Sequence, residues 1–160
     1  FELEYTAPDG SQCRPIMLHR VIYGSVERFF GSLIEFYAGR FPLWLSPSQV
    51  AVLSIADRHV DYAKSVVAAF AASGFEVHLD DTSESVSKKV REAQLAQYNY
   101  ILTIGDKEIE NKTVNVRTRD NEIHGEMQVS ALLDVIKHER AEKCLSSPLS
   151  AKKASEGAVQ

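Results

Sequence analysis

Basic side chains gather in one stretch of this 160-residue chain: Lys88, Lys89, Arg91, Lys107, Lys112, Arg117 and Arg119. Cations at that density suit a polyanion, phosphate groups above all. Finer chemistry accompanies the charge. Arg117 and Arg119 stand two apart in the run Val114-Asn115-Val116-Arg117-Thr118-Arg119, so on a strand both point to one side and address one surface. Glu108 beside Lys107 places an acceptor next to donors, the pairing that reads the exposed edges of unstacked single-stranded bases. Lys89 and Arg91 suit phosphates, contacts that position a partner without reading its sequence. Gln94, Gln97 and Asn99 carry amides that either hydrogen-bond bases or face water. Against all of these stands the solvated face, the usual meaning of a charge run.

A second group lies near the N-terminus. Gly24-Ser25 precedes an apolar stripe of helical period, so a helix start presents free amides and a positive dipole end to a phosphate or an adenine. Arg28 falls one turn into that helix, a planar cation on the face opposite Val26, Phe29 and Leu33. His19 is a metal-ligand type, although a lone histidine near a strand end is more often structural. Cys13 and Cys144 are too far apart to make a framework and read as free thiols of a reducing compartment, which implies the cytoplasm.

These residues need elements to hold them. Phe1, Leu3 and Tyr5 alternate with Glu2 and Glu4 as a half-buried strand, Asp9-Gly10 signals a hairpin, and Pro15–His19 reads as the returning strand. Ile22, Val26, Phe29, Phe30, Leu33, Ile34 and Tyr37 then form one helix stripe, with Ser25 as its cap and Gly39 as its stop. Two prolines in Phe41–Pro47 forbid regular structure and mark a packed linker. Beyond it, apolar runs predict strands at Val50–Ile55, Phe75–Leu79 and Tyr100–Ile104, then Val114–Thr118 and a short one near Ile123. Helices are expected from about His59 to Ser73, around Val86–Leu95 and at Val129–Ile136.

The expected order is βαβαββα: an α/β, three-layer domain on a mixed, mostly parallel five-stranded sheet, preceded by a strand-helix fragment. The expected divisions are residues 1–40, a linker at 41–49, the α/β domain at 50–144, and a tail at 145–160 too poor in apolar residues to order. Composition is that of an ordinary globular protein, 44% hydrophobic and 25% charged. No run is long enough to cross a bilayer, so no membrane is expected. The net charge of −4 argues only weakly against nucleic acid, because a local basic surface decides binding. Phe1 lies in an apparent strand rather than at a start methionine, which suggests a piece of a longer polypeptide.

Two segments carry a resemblance. Arg14-Pro15-Ile16-Met17-Leu18-His19-Arg20 through Gly24-Ser25-Val26-Glu27-Arg28-Phe29-Phe30 resembles motif 3 of class II aminoacyl-tRNA synthetases of the threonyl type. Residues 42–126, with Trp44-Leu45-Ser46-Pro47, Gly105-Asp106-Lys107-Glu108 and Val116-Arg117-Thr118-Arg119, resemble the anticodon-binding domain that follows it in that family. The resemblance covers about residues 1–140. It implies a ligase that, when whole, activates threonine with ATP and Mg and transfers it to tRNA(Thr), acting as a homodimer.

By the same resemblance, Gly24, Ser25 and Arg28 bind ATP, with Arg28 as the catalytic arginine. His19 matches one of three protein ligands of a zinc whose other two ligands lie outside this chain, so this piece alone should not hold the metal. Glu108 and Arg117 match the residues that read the second and third anticodon letters, G and U. Lys107 and Arg119 join them, and Ser83 stands where an asparagine is frequent, which puts that base contact in doubt. The alternative is a non-catalytic RNA- or protein-binding module that borrows the fold, but Gly24-Ser25 with Arg28 would then have no purpose. A flavodoxin-type small-molecule domain would want a glycine-rich loop where Ser54-Ile55-Ala56-Asp57-Arg58 stands.

Overall fold

The computed structural model describes residues 2–150 and divides into two units, Phe1–Phe36 and Tyr37–Gln160. In the first unit Asp9-Gly10 turns the chain as expected. Gly10 takes φ +80°, in the left-handed region that favours glycine, and Asp9 Oδ1 accepts from Ser11 N at 3.0 Å. The strands it joins are shorter than alternation suggested: β1 is Tyr5–Thr6 and β2 is Gln12–Cys13, antiparallel, with Tyr5 opposite Cys13. Pro15–His19 is not the returning strand. Pro15 has no N–H to offer a ladder, and Ile16 and Leu18 are 89% and 92% exposed with no sheet face beneath them. Phe1 lies outside the described residues.

Helix α1, Val26–Tyr37, starts at the predicted cap. Ser25 Oγ accepts from Arg28 N at 3.3 Å, and the Ser25 carbonyl accepts from Phe29 N at 3.1 Å. Ile22, expected inside the helix, precedes it. Ala38 and Gly39, both at positive φ, stop it.

The second unit is built on β3, Val50–Ser54, all five residues of which are buried. A single 3₁₀ turn, Asp57–His59, leads into α2, Val60–Ala72. Then come β4 (Val77–Asp80), α3 (Val86–Leu95), β5 (Tyr100–Ile104), α4 (Asp106–Asn111), β6 (Thr113–Thr118), β7 (Ile123–Gln128) and α5 (Val129–Ala141). The sheet order is β4-β3-β5-β6-β7. β3 pairs in parallel with both β4 and β5, whereas β6 runs antiparallel to β5 and β7. The expected mixed, five-stranded α/β sheet is therefore present, with α4 inserted between β5 and β6. Periodicity missed α4 because its six residues hold one apolar side chain, Ile109.

The two faces of the sheet are covered unequally. On one, Val50, Val52, Tyr100, Leu102, Ile104, Val114 and Val116 pack with Ala63, Val66 and Phe70 of α2 and Leu132 and Ile136 of α5. Full burial of a large apolar side chain contributes about 1.5–3 kcal/mol, so this face holds most of the stabilisation. On the other, Ala51, Leu53 and Ile101 meet α3 through Ala93, with Val90 and Tyr98 at the margin. This cluster is the smaller of the two.

Two boundaries differ from expectation. Residues 41–49 are not a separate linker but part of the second unit: Leu43 is fully buried in its core, Gln49 Nε2 donates to Leu43 O at 3.0 Å, and Gln49 Oε1 accepts from Glu76 N at 2.9 Å. The chain from Leu145 to Ser150 is also placed on the fold rather than free of it. Ser147 Oγ lies 2.6 Å from the Tyr100 hydroxyl, and Leu149 joins the larger core, an anchor that average composition could not reveal. Residues 151–160 lie outside the described residues.

Candidate nucleic-acid interface

The smaller core leaves α3 and the β6–β7 turn facing each other across a groove of about 320 Å³, lined by Arg91, Gln94, Arg117 and Asn121 among others. Strand register explains why Arg117 is there: it sits opposite Ile101, whose side chain belongs to the α3 face. The Arg117 guanidinium donates through Nη1 to Asn121 Oδ1 at 2.8 Å. The same oxygen accepts from Gln94 Nε2, also at 2.8 Å. Asn121 occupies φ +65°, a conformation asparagine tolerates better than most residues, and its amide closes the turn on Thr118 O at 3.0 Å. Arg91 projects from α3 at the same groove and is exposed.

A second cluster lies where β3 and β5 end. Gly105 precedes α4, and Glu108 turns back so that its Oε2 accepts from Gly105 N at 2.9 Å. This one-way cap goes with a buried Glu108. Glu108 is therefore in a helix rather than a turn, and one of its carboxylate oxygens is committed to backbone. Asp106 is gripped by Arg58, at 2.7 Å from Nε and 2.6 Å from Nη2, and by His59 Nε2 at 2.9 Å. His59 Nδ1 accepts from Ala56 N at 3.1 Å, so the ring donates to Asp106 through its other nitrogen. These bonds, Arg58 first, hold the Asp106 carboxyl well below the ordinary carboxylate range. Lys107 next to it is exposed. Neither Arg58 nor His59 stood out in the sequence, because a polar triplet after a strand looks like any loop.

The expected residues thus divide between the groove and the strand ends. Four residue steps lead from Ile101 of β5, opposite Arg117, to Gly105 at the Glu108 cap. At about 3.3 Å per residue that places the two backbone positions about 13 Å apart along the strand. Ser83 is exposed in the loop between β4 and α3.

Two expected contacts are corrected. Lys89 is 1% exposed and cannot reach a phosphate. Its ammonium donates to Ser54 O at 2.9 Å and Asp80 O at 3.3 Å, and lies 3.5 Å from Asp80 Oδ1. Burial pushes the Asp80 carboxyl up, and bonds from Thr82 together with Lys89 more than offset it, leaving it below its ordinary value. Helix period explains the inward turn, since Lys89 lies four residues before the buried Ala93.

Arg119 does not share a surface with Arg117 either. β6 ends at Thr118, alternation stops with it, and Arg119 Nη1 donates to Phe41 O at 2.7 Å. It borders a different cavity, of about 280 Å³, with Tyr100 and Glu139. There the Tyr100 hydroxyl donates to Glu139, whose carboxyl is pushed up by burial.

In the first unit, described by itself, Gly24 takes φ +66° with open space around it. Ser25 Oγ donates to Glu27 Oε2 at 2.8 Å, and Arg28 is exposed. Tyr23 stacks on Phe29 with ring centroids 4.3 Å apart. His19 is exposed. Among the described residues there is no group of three or more His, Cys, Asp or Glu side chains that could hold a metal ion, and no helix is long and apolar enough to cross a membrane.

A basic, amide-lined groove on a mixed α/β sheet suits single-stranded nucleic acid, and comparison with known proteins gives it a family. A family model described as an anticodon binding domain matches residues 49–139, and the chain belongs to that family. It is 57% identical over 148 residues to the threonine–tRNA ligase of Protochlamydia amoebophila, covering 92% of this chain and 23% of the relative. Against the threonine–tRNA ligase of Chlamydia caviae the identity is 50% over 140 residues, covering 88% and 22%. The RNA binding domain of threonyl-tRNA synthetase from Cryptosporidium parvum superimposes with a TM-score of 0.71 at 38% identity, covering 81% of this chain and 31% of that one. The chain spans less than a quarter of the length of these curated relatives.

Proposed function

We propose that this chain is the C-terminal portion of a threonine–tRNA ligase, in which the second unit binds and reads the anticodon of tRNA(Thr). The observation that carries this reading is the 57% identity to a threonine–tRNA ligase across 92% of the chain. The groove supplies the chemistry. Arg117 presents a planar, permanently charged fork beside an amide pair, suited to base edges, and Arg91 supplies a phosphate contact at the same wall. Lys107, Ser83 and the uncommitted oxygen of Glu108 serve the neighbouring nucleotide, with Glu108 and Arg117 addressing the second and third letters, G and U.

The first unit contributes to an ATP site completed elsewhere in the whole ligase, a cytoplasmic homodimer. The residues fit an adenine nucleotide. Gly24 leaves the start of α1 open, Ser25 caps it, and the Arg28 guanidinium is exposed, without an ion pair among the described residues. ATP with Mg supplies the activating group for threonine's carboxyl. Arg28 binds and orients it, and the start of α1 adds a favourable field for phosphate. The residues do not fit zinc by themselves: His19 offers one ligand where a zinc site needs at least three from protein.

Fluorescence anisotropy of this chain against two anticodon stem-loops tests the reading, one carrying the threonine G-U letters and one with those letters swapped. Tighter binding to the first by about tenfold or more, about 1.4 kcal/mol, is expected. Arg117→Ala should abolish most of that preference. Equal weak binding by the unaltered chain would overturn anticodon reading and leave a module that borrows the fold.

A further inference from the structure

The groove holds more than an arginine. We infer that Gln94 and Asn121 are positioning residues for base discrimination: Asn121 Oδ1, fixed by Gln94, sets the plane and direction of the Arg117 guanidinium. This rests on the anticodon-reading role of Arg117. Three observations carry it. Both bonds to Asn121 Oδ1 are 2.8 Å, so one oxygen uses its two acceptor directions on α3 and on β6. The bond to Arg117 uses Nη1, which leaves Nε and Nη2 as a fork for a base edge. Asn121 is itself held at φ +65° by the turn bond to Thr118 O, so its side chain starts from a defined backbone.

The physical need is plain. An arginine side chain has four rotatable bonds, and a guanidinium free to swing reads charge but not pattern. Discrimination by a bidentate pair depends on both donors meeting both acceptors, and a good pair is worth about 1–3 kcal/mol, or about five- to 150-fold in affinity ratio. Arg117 lies on β6 and Asn121 in the β6–β7 turn, whereas Gln94 comes from α3. The shared oxygen therefore ties the reading arginine to the helix wall of the groove, and no other side-chain bond of Arg117 is present among the described residues.

The test uses the whole chain with the matched and swapped stem-loops. Asn121→Gly keeps the left-handed turn, which glycine adopts freely, and removes the acceptor. Asn121→Asp keeps both the turn tendency and an acceptor for Arg117. The expected result is that Asn121→Gly lowers the matched-to-swapped affinity ratio about fivefold or more, with the salt dependence of binding unchanged. Asn121→Asp should keep the ratio while weakening both loops alike through its added negative charge. Gln94→Met should lower the ratio in the same direction as Asn121→Gly. A melting temperature within about 2 °C of the unaltered chain separates these effects from misfolding. If Arg117→Ala destroys the ratio while Asn121→Gly preserves it, the positioning role is wrong and base reading by Arg117 stands. If Arg117→Ala itself preserves the ratio, both fall.

Discussion

Replacing Lys89 by methionine keeps the length and much of the volume of the side chain and removes its charge. It leaves Ser54 O, 2.9 Å from the ammonium, without that donor, leaves Asp80 O with the Ser54 hydroxyl at 3.3 Å in place of two donors, and leaves Asp80 Oδ1 without the cation 3.5 Å away. A buried acceptor stripped of its partner costs about 1–3 kcal/mol, and breaking a buried charge pair costs about 3–5 kcal/mol. Two effects reduce the sum. Asp80 keeps its bonds from Thr82, and the thioether is less costly to bury than an ammonium. A net loss of about 3 kcal/mol is expected. That corresponds to about 10 °C in melting temperature, or about 1–2 M in urea midpoint. The adjacent Lys88→Met serves as the control, because Lys88 meets Glu84 at 2.8 Å on a half-exposed helix surface, where such pairs contribute about 0.5 kcal/mol. Urea unfolding followed by far-UV circular dichroism compares the two. If both variants unfolded within 1 kcal/mol of the parent and Lys89→Met instead weakened every stem-loop with a shallower salt slope, the buried structural role of Lys89 would fail and the phosphate role would return.

Two smaller perturbations test the frame around the site. Asp106 has a folded-state pKa below its ordinary 3.8, so its stabilisation is present above that value and lost as pH falls through the depressed one. Asp106→Asn should lower stability at neutral pH and flatten the acid limb of a stability–pH curve; an unchanged acid limb would refute the clamp with Arg58 and His59. Gly74 ends α2 at φ +76°, where a Cβ would meet Arg140 Nη1 at 3.6 Å, ordinary contact distance. Gly74→Ala should therefore cost about 1 kcal/mol from backbone strain alone, measured as a shift in urea midpoint, and a loss above 3 kcal/mol would mean that the space is tighter than it looks.

Period and punctuation carried the second unit far. Val50–Ser54, Tyr100–Ile104 and the α2 stripe of Val66 and Phe70 are strong apolar signals, and Gly74 and Ser25 ended and began helices where their chemistry suggested. Short elements escaped because their determinants are polar. α4 is defined by Glu108 folding back on Gly105, a bond that a one-dimensional hydrophobic pattern does not contain. The basic residues were legible as a group but not one by one. Lys89 and Arg91 look alike in sequence, yet helix phase sends one between carbonyls and the other to the groove. Arg117 and Arg119 were assigned one surface by strand alternation, which ends at Thr118. Asn121 gives no sequence signal as a partner of Arg117, because the bond from Gln94 comes from α3, far away in sequence.

The two parallel pairings of β3 also bear on synthesis. As the chain emerges, Val-Ala-Val-Leu-Ser appears first, and its partners come later: Val77 of β4, and then Tyr100 of β5, fifty residues after Val50. At about 5–20 residues per second one edge of the strand waits about 1–5 s for β4 and the other about 3–10 s for β5. An apolar, β-branched run without proline, held unpaired for seconds, is the kind of segment that chaperones capture and that aggregates when they are scarce. A strand that both β4 and β5 need as a partner is thus left open in the unfinished chain. Slowing translation between β3 and β5 should cost soluble yield more than the same delay placed after β7.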